Sequence, residues 1–308
     1  MGTELQKENI MTNQLQSRYF DRLGITQPEV QESPSQENLA KIVEAHLARI
    51  TFDNLSQHGL PLWPTLNTTK TAQKILEEKR GGFCYEVNGL LAELLVELGY
   101  PVKRVPAIIH AETGFRDIST HVILVVTASG KDWYVDVGLG EPPLHPLKYE
   151  LNTEQVTPEG MESRIVLQSC PGGGETTTTK KTDSMVAILE WKKGQDWLPR
   201  LKWDFDHPGQ DLKDFKDGLD YTLGNTSIFH KKLIVCKITR DEKLTLSGTR
   251  LKRTTPRFGP NSRVTVEELE SDEDIQRVLE EKFGLSDASP LDLSKSRAAE
   301  PAIWGHLI

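Results

Sequence analysis

A single cysteine, Cys84, follows two glycines in the segment 80–86 (RGGFCYE). Residues 87–98 then repeat apolar side chains at three- and four-residue intervals, which predicts a buried helix that begins at or near the cysteine. A helix N-terminus favours negative charge, and the thiolate is the reactive form of cysteine. The two glycines permit a sharp entry and a close approach of a substrate to the backbone. The segment therefore predicts a nucleophilic cysteine.

A nucleophilic cysteine needs a base, and the base needs an orienting group. His121 stands at the head of a β-branched run over 121–126, and Asp136 lies in the next apolar run, over 133–137. The intervening residues 128–132 (ASGKD) predict a hairpin turn that makes the two runs antiparallel neighbours. A carboxylate inside an apolar run needs a partner, and an imidazolium provides one. The spacing predicts a Cys-His-Asp constellation and indicates no substrate.

These segments resemble the arylamine N-acetyltransferase family, in which an RGGxC-aromatic-Glu motif, a Thr-His pair and an Asp-x-Gly-x-Gly motif occur in this order. The similarity runs from about Tyr19 to Gly140 and continues more loosely beyond. Three further segments share it: 19–24 (YFDRLG), 46–55 (HLARITFDNL) and 225–229 (NTSIF). The chain departs from the commoner pattern at Leu139, which is often aromatic, and in a long segment between Pro142 and Trp203.

The resemblance implies an α+β fold with an N-terminal helical bundle, a central β-barrel and a C-terminal α/β lid around a cysteine-protease-like Cys-His-Asp core. The residue pattern agrees, because it is mainly helical up to residue 98 and changes to short β-branched runs from residue 102. We expect a strand over 229–239 and an exposed loop over the low-complexity residues 170–181. The expected divisions are a mobile tail (1–17), a helical domain carrying the nucleophile (18–100), a barrel domain (101–215) and a lid domain (216–308).

The resemblance further implies an acyltransferase of xenobiotic and aromatic amine metabolism. It would move an acyl group, acetyl by expectation, from acyl-coenzyme A to arylamine, hydrazine or hydroxylamine acceptors through an acyl-cysteine. Cys84 would be the nucleophile as a thiolate paired with the His121 imidazolium, and Asp136 would orient the ring. Acyl-coenzyme A is then a cosubstrate, with no permanently bound cofactor and no metal. The alternatives are an N-malonyltransferase on the same scaffold, a cysteine hydrolase with the same triad, and a non-catalytic binding protein.

Four residues are candidate contacts for the coenzyme: Arg116, Ser119, Thr120 and Ser227. Ser119 and Thr120 precede the histidine and are placed either to donate hydrogen bonds to a phosphate or pantetheine carbonyl, or simply to cap the strand end. Arg116 is placed to bind a coenzyme phosphate, to bind the free carboxylate of a malonyl group, or to face water. Ser227 matches the coenzyme-binding region of the family only loosely.

The remaining chemistry-bearing residues have structural interpretations. Arg80 and Glu86 flank the nucleophile, and we expect them to form an ion pair that braces the turn. Cys170 and Cys236 lack a comparable setting and are interpreted as incidental thiols.

Composition limits the classes of function. The chain has 308 residues and a formal net charge of −8, and it contains no long basic run, which argues against nucleic acid or an anionic membrane as the main partner. There is no run of eighteen apolar residues, and the polar first sixteen residues do not resemble a signal peptide. Three cysteines, an odd number, indicate free thiols in a reducing compartment, so a cytoplasmic location is expected. The oligomeric state is left open.

Overall fold

The computed structural model describes residues 15–26, 34–111, 114–170, 184–286 and 291–294. Residues 1–14 of the expected tail lie outside these ranges, and residues 15–17 belong to the first helix. The expected loop over 170–181 also lies outside the described residues, apart from Cys170, which ends a strand.

Helices dominate the first hundred residues. They are α1 (15–23), α2 (Gln36–Arg49), α3 (Thr68–Ala72), which continues as a π turn over Gln73–Glu77, and α4 (Cys84–Glu97). Ser35 caps α2, since its hydroxyl accepts a hydrogen bond from the Asn38 N–H at 3.1 Å, which supplies a partner that the helix itself cannot.

Helix α4 is the centre of the largest apolar core. Its leucines, including Leu90, Leu91, Leu94 and Leu95, are fully buried among side chains from α1, α2 and the neighbouring sheet. The chain leaves the helix through Gly99, whose φ of +82° lies in the left-handed region that glycine tolerates. This burial fixes the axis of α4, and thereby the position of its first residue, Cys84.

A nine-stranded antiparallel sheet follows the helices. Its strands are β2 (Val102–Ala111), β3 (Gly114–Phe115), β4 (His121–Ala128), β5 (Lys131–Val135), β6 (Leu147–Lys148), β7 (Gln155–Val156), β8 (Glu162–Cys170), β9 (Ser184–Lys193) and β10 (Asp196–Asp204). The order is β6-β5-β4-β2-β10-β9-β8-β7, and β3 pairs with β2 outside this path. The sheet is nearly closed and barrel-like, and together with the helices it confirms the α+β class.

The β4–β5 hairpin positions two of the predicted site residues. Ser129 and Gly130 make its turn with φ of +50° and +72°, as the sequence predicted for this segment. Leu124 pairs with Val135 across the hairpin, so His121 and Asp136 both lie at the end opposite the turn. His121 is also held from the other side, where it pairs with Ala107 of β2.

A second sheet has five strands in the order β1-β11-β12-β13-β14. They are β1 (Phe52–Asp53), β11 (Ile234–Ile238), β12 (Lys243–Ser247), β13 (Arg250–Thr255) and β14 (Arg263–Glu268). The associated helices are α5 (Lys216–Leu223), α6 (Ile228–Lys231) and α7 (Asp272–Val278), which continues as a π turn over Leu279–Phe283.

One expectation about this region requires correction, and one strand pairing was not predicted. The predicted strand over 229–239 is wrong in its first part, because Ser227 caps the short helix α6 and the strand begins only at Ile234. The helical region also contributes a strand, since β1 pairs with β11 at Phe52 and Cys236. The chain segments before and after the nine-stranded sheet therefore share one hydrogen-bonded sheet.

In the part of the chain that the structure describes, no helix is long and apolar enough to cross a membrane.

Candidate active site

Cys84 is the first residue of α4, and the extended backbone of Phe83 leads into it. Gly81 and Gly82 are packed too closely for any side chain. A Cβ built on Gly81 would lie 1.9 Å from the Thr51 carbonyl oxygen, and one on Gly82 would lie 2.6 Å from Glu86 Oε2. The two glycines are therefore required by close packing of the turn against β1 and α4.

A buried ion pair braces this turn, but its cation is not the expected one. Glu86 Oε2 accepts hydrogen bonds from the Phe83 N–H at 3.1 Å and from Lys74 Nζ at 2.9 Å. Arg80 instead donates to the hydroxyl of Ser56 and to a backbone carbonyl, so the predicted Arg80–Glu86 pair is wrong. Burial raises the pKa of Glu86, and the charge of Lys74 opposes that rise.

We expect Lys74→Met to lower the free energy of unfolding by about 3–5 kcal/mol, because it leaves a carboxylate buried without its cation. The Lys74 and Glu86 side chains are only 2% and 0% exposed, so solvent does not screen the loss. Denaturant unfolding measures the change. The double variant Lys74→Met/Glu86→Gln should recover part of it, and a Lys74→Met protein as stable as wild type would show that the pair does not brace the turn.

His121 and Asp136 form a buried hydrogen-bonded pair at the open end of the β4–β5 hairpin. His121 Nε2 lies 2.7 Å from Asp136 Oδ2, and both side chains are almost completely inaccessible to solvent. With Nε2 used in this way, Nδ1 is the ring nitrogen left for exchange of a proton with another group.

Three further donors hold the carboxylate. Tyr134 Oη donates to Asp136 Oδ2 at 3.0 Å, while Asn88 Nδ2 and the Gly138 N–H donate to Oδ1 at 2.9 and 2.8 Å. Asn88 lies on α4, one turn after Cys84, and it also accepts from the Val137 N–H at 2.8 Å. The helix that begins with the cysteine is thus tied directly to the aspartate.

The electrostatic environment favours the charged forms of both His121 and Asp136. Burial lowers the pKa of His121, but the charges of Asp136 and then Cys84, with hydrogen bonds to both side chains, outweigh it and raise the pKa to about 10. Burial raises the pKa of Asp136, but His121, Asn88 and Gly138 outweigh it, so the net shift is downward. The pair is therefore an imidazolium and a carboxylate at neutral pH.

Cys84 joins this pair at the floor of a narrow cleft. Its sulfur lies 3.8 Å from the carbonyl oxygen of Thr120, the residue before His121, and Cys84 and His121 line the same cavity. Gly138 packs against the other side, where a Cβ would lie only 2.5 Å from Cys84 Cα. The structure brings the three predicted residues together, from a helix, a strand and the end of the next strand.

Most of the cleft wall is apolar. Phe52, Phe83 and Phe229 form a cluster of edge-on rings with centroids 5.0–6.0 Å apart, and all three line the cavity. Leu139, the position that is often aromatic in the resembling family, lies on the same wall. The cavity encloses about 70 Å³.

Cys236 also lines the cleft, and the sequence interpretation missed it. It lies on β11 opposite Phe52 of β1, and burial raises the pKa of its thiol. The apolar pattern of 234–238 indicated a strand, but it carried no signal that this strand pairs with β1 and forms part of the cleft wall.

The four candidate coenzyme contacts separate into two groups. Arg116, Thr120 and Ser227 line the cleft, whereas Ser119 is absent from its lining and donates its hydroxyl hydrogen to the Ala107 carbonyl oxygen at 2.9 Å. Ser227 accepts from the Phe229 N–H as the cap of α6. The Thr120 hydroxyl is buried and has no hydrogen-bond partner among the described residues.

A family model described as N-acetyltransferase matches residues 35–290 of this chain. An arylamine N-acetyltransferase of Mycobacterium tuberculosis is 36% identical over 160 residues, which cover 48% of this chain and 54% of that protein. The chain thus spans about half the length of the first curated relatives it matches. A Salmonella typhimurium protein named arylamine N-acetyltransferase / N-hydroxyarylamine O-acetyltransferase is 28% identical over 277 residues, 87% of each chain.

Solved structures share the fold. The arylamine N-acetyltransferase of Mycobacterium tuberculosis superposes with a TM-score of 0.72 at 26% identity, covering 87% of this chain and 93% of that one. The Mycobacterium marinum enzyme, solved in complex with CoA, superposes with a TM-score of 0.73 at 24% identity, covering 92% and 97%. The match of the family model to most of the chain, the curated relatives and these structures agree with the order of motifs around Cys84, and the chain belongs to the arylamine N-acetyltransferase family.

Proposed function

We propose that this protein transfers an acetyl group from acetyl-coenzyme A to an aromatic amine, hydrazine or hydroxylamine by way of an acetyl-cysteine on Cys84. The observation that carries the proposal is the placement of a cysteine at a helix N-terminus, beside a buried imidazolium–carboxylate pair, on the floor of a cleft with three phenylalanine walls. The Mycobacterium marinum relative, solved with CoA, supports the choice of cosubstrate.

In the first step the Cys84 thiolate attacks the thioester carbonyl carbon, and the C–S bond to coenzyme A breaks. The backbone N–H groups of Cys84 and Tyr85 lie in the first turn of α4, where helices leave N–H groups without intrahelical partners, and they suit the developing oxyanion. The buried Thr120 hydroxyl, which has no hydrogen-bond partner among the described residues, is a further candidate donor, because Thr120 lines the same cleft. The leaving thiolate takes the proton from His121, and free coenzyme A departs.

In the second step the acceptor nitrogen attacks the acetyl-cysteine. His121, now neutral, takes the proton that the nitrogen loses, and Cys84 leaves as a thiolate that is again paired with imidazolium. A weakly basic aromatic amine suits this step because it is uncharged at neutral pH and needs no strong base. Edge and face contacts with Phe52, Phe83 and Phe229 would hold an aromatic ring near the sulfur.

We extend the proposal to the metabolic role and the cellular location of the protein. An enzyme that acetylates acceptors of this class would act in the metabolism of foreign aromatic amines. The described cysteines Cys84 and Cys236 are free thiols, which suits a reducing compartment such as the cytoplasm.

Incubation with radiolabelled acetyl-coenzyme A followed by intact-protein mass spectrometry tests the proposal. We expect one acetyl group on Cys84, stable in the absence of acceptor and discharged by an added arylamine with formation of the amide. Rapid loss of the label to water would identify a cysteine hydrolase instead. Absence of any covalent label would identify a non-catalytic binding protein.

One observation favours a second candidate, malonyl transfer. Arg116 lines the same cleft as Cys84, so its guanidinium is placed either for a coenzyme phosphate or for the free carboxylate of a malonyl group. The two contacts have different consequences when the side chain is removed.

We expect Arg116→Ala to raise the Michaelis constants for acetyl- and malonyl-coenzyme A by similar factors, about 10-fold, as loss of a phosphate contact would. Steady-state kinetics with both donors and one arylamine provide the measurement. Arg104→Ala is the control, because Arg104 pairs with Glu93 outside the cleft. A defect confined to malonyl-coenzyme A would assign the carboxylate contact, and unchanged kinetics with both donors would contradict any substrate contact.

A further inference from the structure

A second cavity, separate from the catalytic cleft, lies between the nine-stranded sheet and the β13–β14 connection. It encloses about 610 Å³, a size that suits a small-molecule ligand. Trp191, Arg200, Arg257 and Phe258 contribute to its wall, with Lys192 and Lys193 at the β9–β10 turn. The catalytic cleft, at about 70 Å³, is far smaller.

Two buried guanidinium groups define the chemistry of this cavity. Arg200 and Arg257 are only 5% and 4% exposed, although arginine lies mostly at the protein surface. Arg200 lies over the Trp191 ring with its central carbon 4.2 Å from the ring centroid, and Arg257 lies over Phe258 at 4.9 Å. Such packing over aromatic rings positions a guanidinium and leaves its N–H edge available for hydrogen bonds.

Arg257 has buried donors that are available to a ligand. Its Nη2 donates to the Pro142 carbonyl oxygen at 2.9 Å, but its Nε and Nη1 are buried and have no hydrogen-bond partner among the described residues. A buried donor without a partner is costly, so a ligand that accepts hydrogen bonds from both nitrogens would be stabilised.

The charges around the cavity are not balanced. Its lining includes four cationic side chains, Lys192, Lys193, Arg200 and Arg257, and two carboxylates, Glu141 and Glu162. Glu162 pairs with Lys192 of the same lining at 2.7 Å, and Glu141 pairs with Lys243 at 3.2 Å while its charge also acts on Arg200 and Arg257, so the lining keeps an excess of positive charge. Burial lowers the pKa of Arg200 to about 10 and also lowers that of Arg257, and the charge of Glu141 opposes both shifts.

We propose that this cavity is a phosphate-binding site in which Arg257 and Arg200 hold the anion. A phosphate group carries close to two negative charges and several acceptor oxygens, which match two guanidinium forks better than the single charge of a carboxylate does. The phosphate comes either from the coenzyme portion of the cosubstrate or from a separate phosphorylated molecule. The first source rests on the proposed function, and the second does not.

The position of the cavity allows the bound anion to affect the catalytic cleft. Gly140 lines the cleft and the next residue, Glu141, lines the cavity, while Arg257 holds the carbonyl of Pro142 directly after it. The segment from the triad aspartate onward therefore separates the two spaces.

Isothermal titration calorimetry with inorganic phosphate and with coenzyme A tests the site without any acyl transfer. We expect Arg257→Gln to weaken the binding of at least one of the two probes by about 10-fold or more. Arg257→Lys should retain part of the affinity because it keeps the charge, and its thermal melting temperature together with that of Arg257→Gln shows whether each variant is folded. Arg250→Gln is the matched control, because Arg250 lies on β13, the strand that leads to Arg257, and is half exposed and paired with Glu268.

Saturating phosphate distinguishes the two sources. Displacement of phosphate by coenzyme A would assign the site to the cosubstrate, whereas independent binding of both would assign it to a separate anion. The Cys84→Ala variant should bind both probes as wild type does, so failure of the proposed transfer reaction would leave this result unaffected. Affinities for phosphate and coenzyme A that are the same in folded Arg257→Gln, Arg200→Gln and wild type would overturn the proposal.

Discussion

Cys84→Ala should lower arylamine acetylation by at least roughly 10⁴-fold, the scale at which enzymes lose turnover when a covalent nucleophile is removed. The physical reason is that the proposed reaction has no second route. The cleft places a single thiol beside His121 at a helix N-terminus, and the acyl group must rest there between donor and acceptor. Steady-state acetylation of one arylamine, together with the mass of the intact protein after exposure to acetyl-coenzyme A, measures both consequences.

The matched control is Cys236→Ala, because Cys236 lines the same cleft and is likewise a buried free thiol. Its sulfur lies 3.8 Å from the Thr245 hydroxyl, and no hydrogen bond joins it to the His121–Asp136 pair. We expect this variant to keep most of its activity and to accept one acetyl group. Near-normal turnover by Cys84→Ala, or labelling that disappears only in Cys236→Ala, would refute the assignment of the nucleophile.

The sequence was sufficient to predict that Cys84, His121 and Asp136 lie together, because the position of each rests on local signals. Cys84 follows a glycine turn and precedes a helical apolar pattern, while His121 and Asp136 lie on runs joined by a recognisable hairpin turn. A two-residue turn sets the register of a hairpin, so it also sets which residues meet at its open end. The α+β class follows from the change from helical to strand periodicity near residue 100.

What the sequence could not indicate depends on contacts between distant segments. Lys74 replaces Arg80 as the partner of Glu86 because a π turn after α3 directs Lys74 into the core, and a spacing of twelve residues carries no signal of this. Cys236 faces the cleft because β1 pairs with β11, a pairing across about 180 residues. Arg257 is buried through its contact with Pro142, which is equally remote in the chain.

Short elements were also hard to predict. Ser227 begins a four-residue helix in a segment whose apolar residues are compatible with a strand. Four residues show too little periodicity to distinguish the two, and the deciding contact is tertiary: Asn54 Nδ2 donates to the carbonyl oxygens of Phe229 and Lys232, both at 2.7 Å. That contact holds the Phe229 ring against Phe52 and Phe83, so the misjudged helix forms part of the cleft wall.

Asp136→Asn should reduce acetyl transfer by about 10³–10⁴-fold while leaving the fold intact, comparable with the loss when the buried aspartate of a serine-protease triad is changed to asparagine. The carboxylate is the largest influence that raises the pKa of His121 to about 10 against burial. Without it, burial dominates and the pKa of His121 falls. The imidazolium that stabilises the Cys84 thiolate is then lost, and the ring has no fixed orientation.

The pH dependence of alkylation isolates this charge effect from general damage. In wild type, His121 stays protonated as the pH rises until it approaches about 10, so inactivation by iodoacetamide should be nearly constant between pH 6 and pH 9. In Asp136→Asn the rate should rise steeply over the same range, as it does for an unpaired thiol with the ordinary pKa of about 8.5. Asp132→Asn, on the same hairpin but exposed and bonded to the Thr127 hydroxyl, should retain the flat profile. A flat profile in a folded Asp136→Asn protein would mean that another group holds the thiolate, and the buried pair would then have only a structural role.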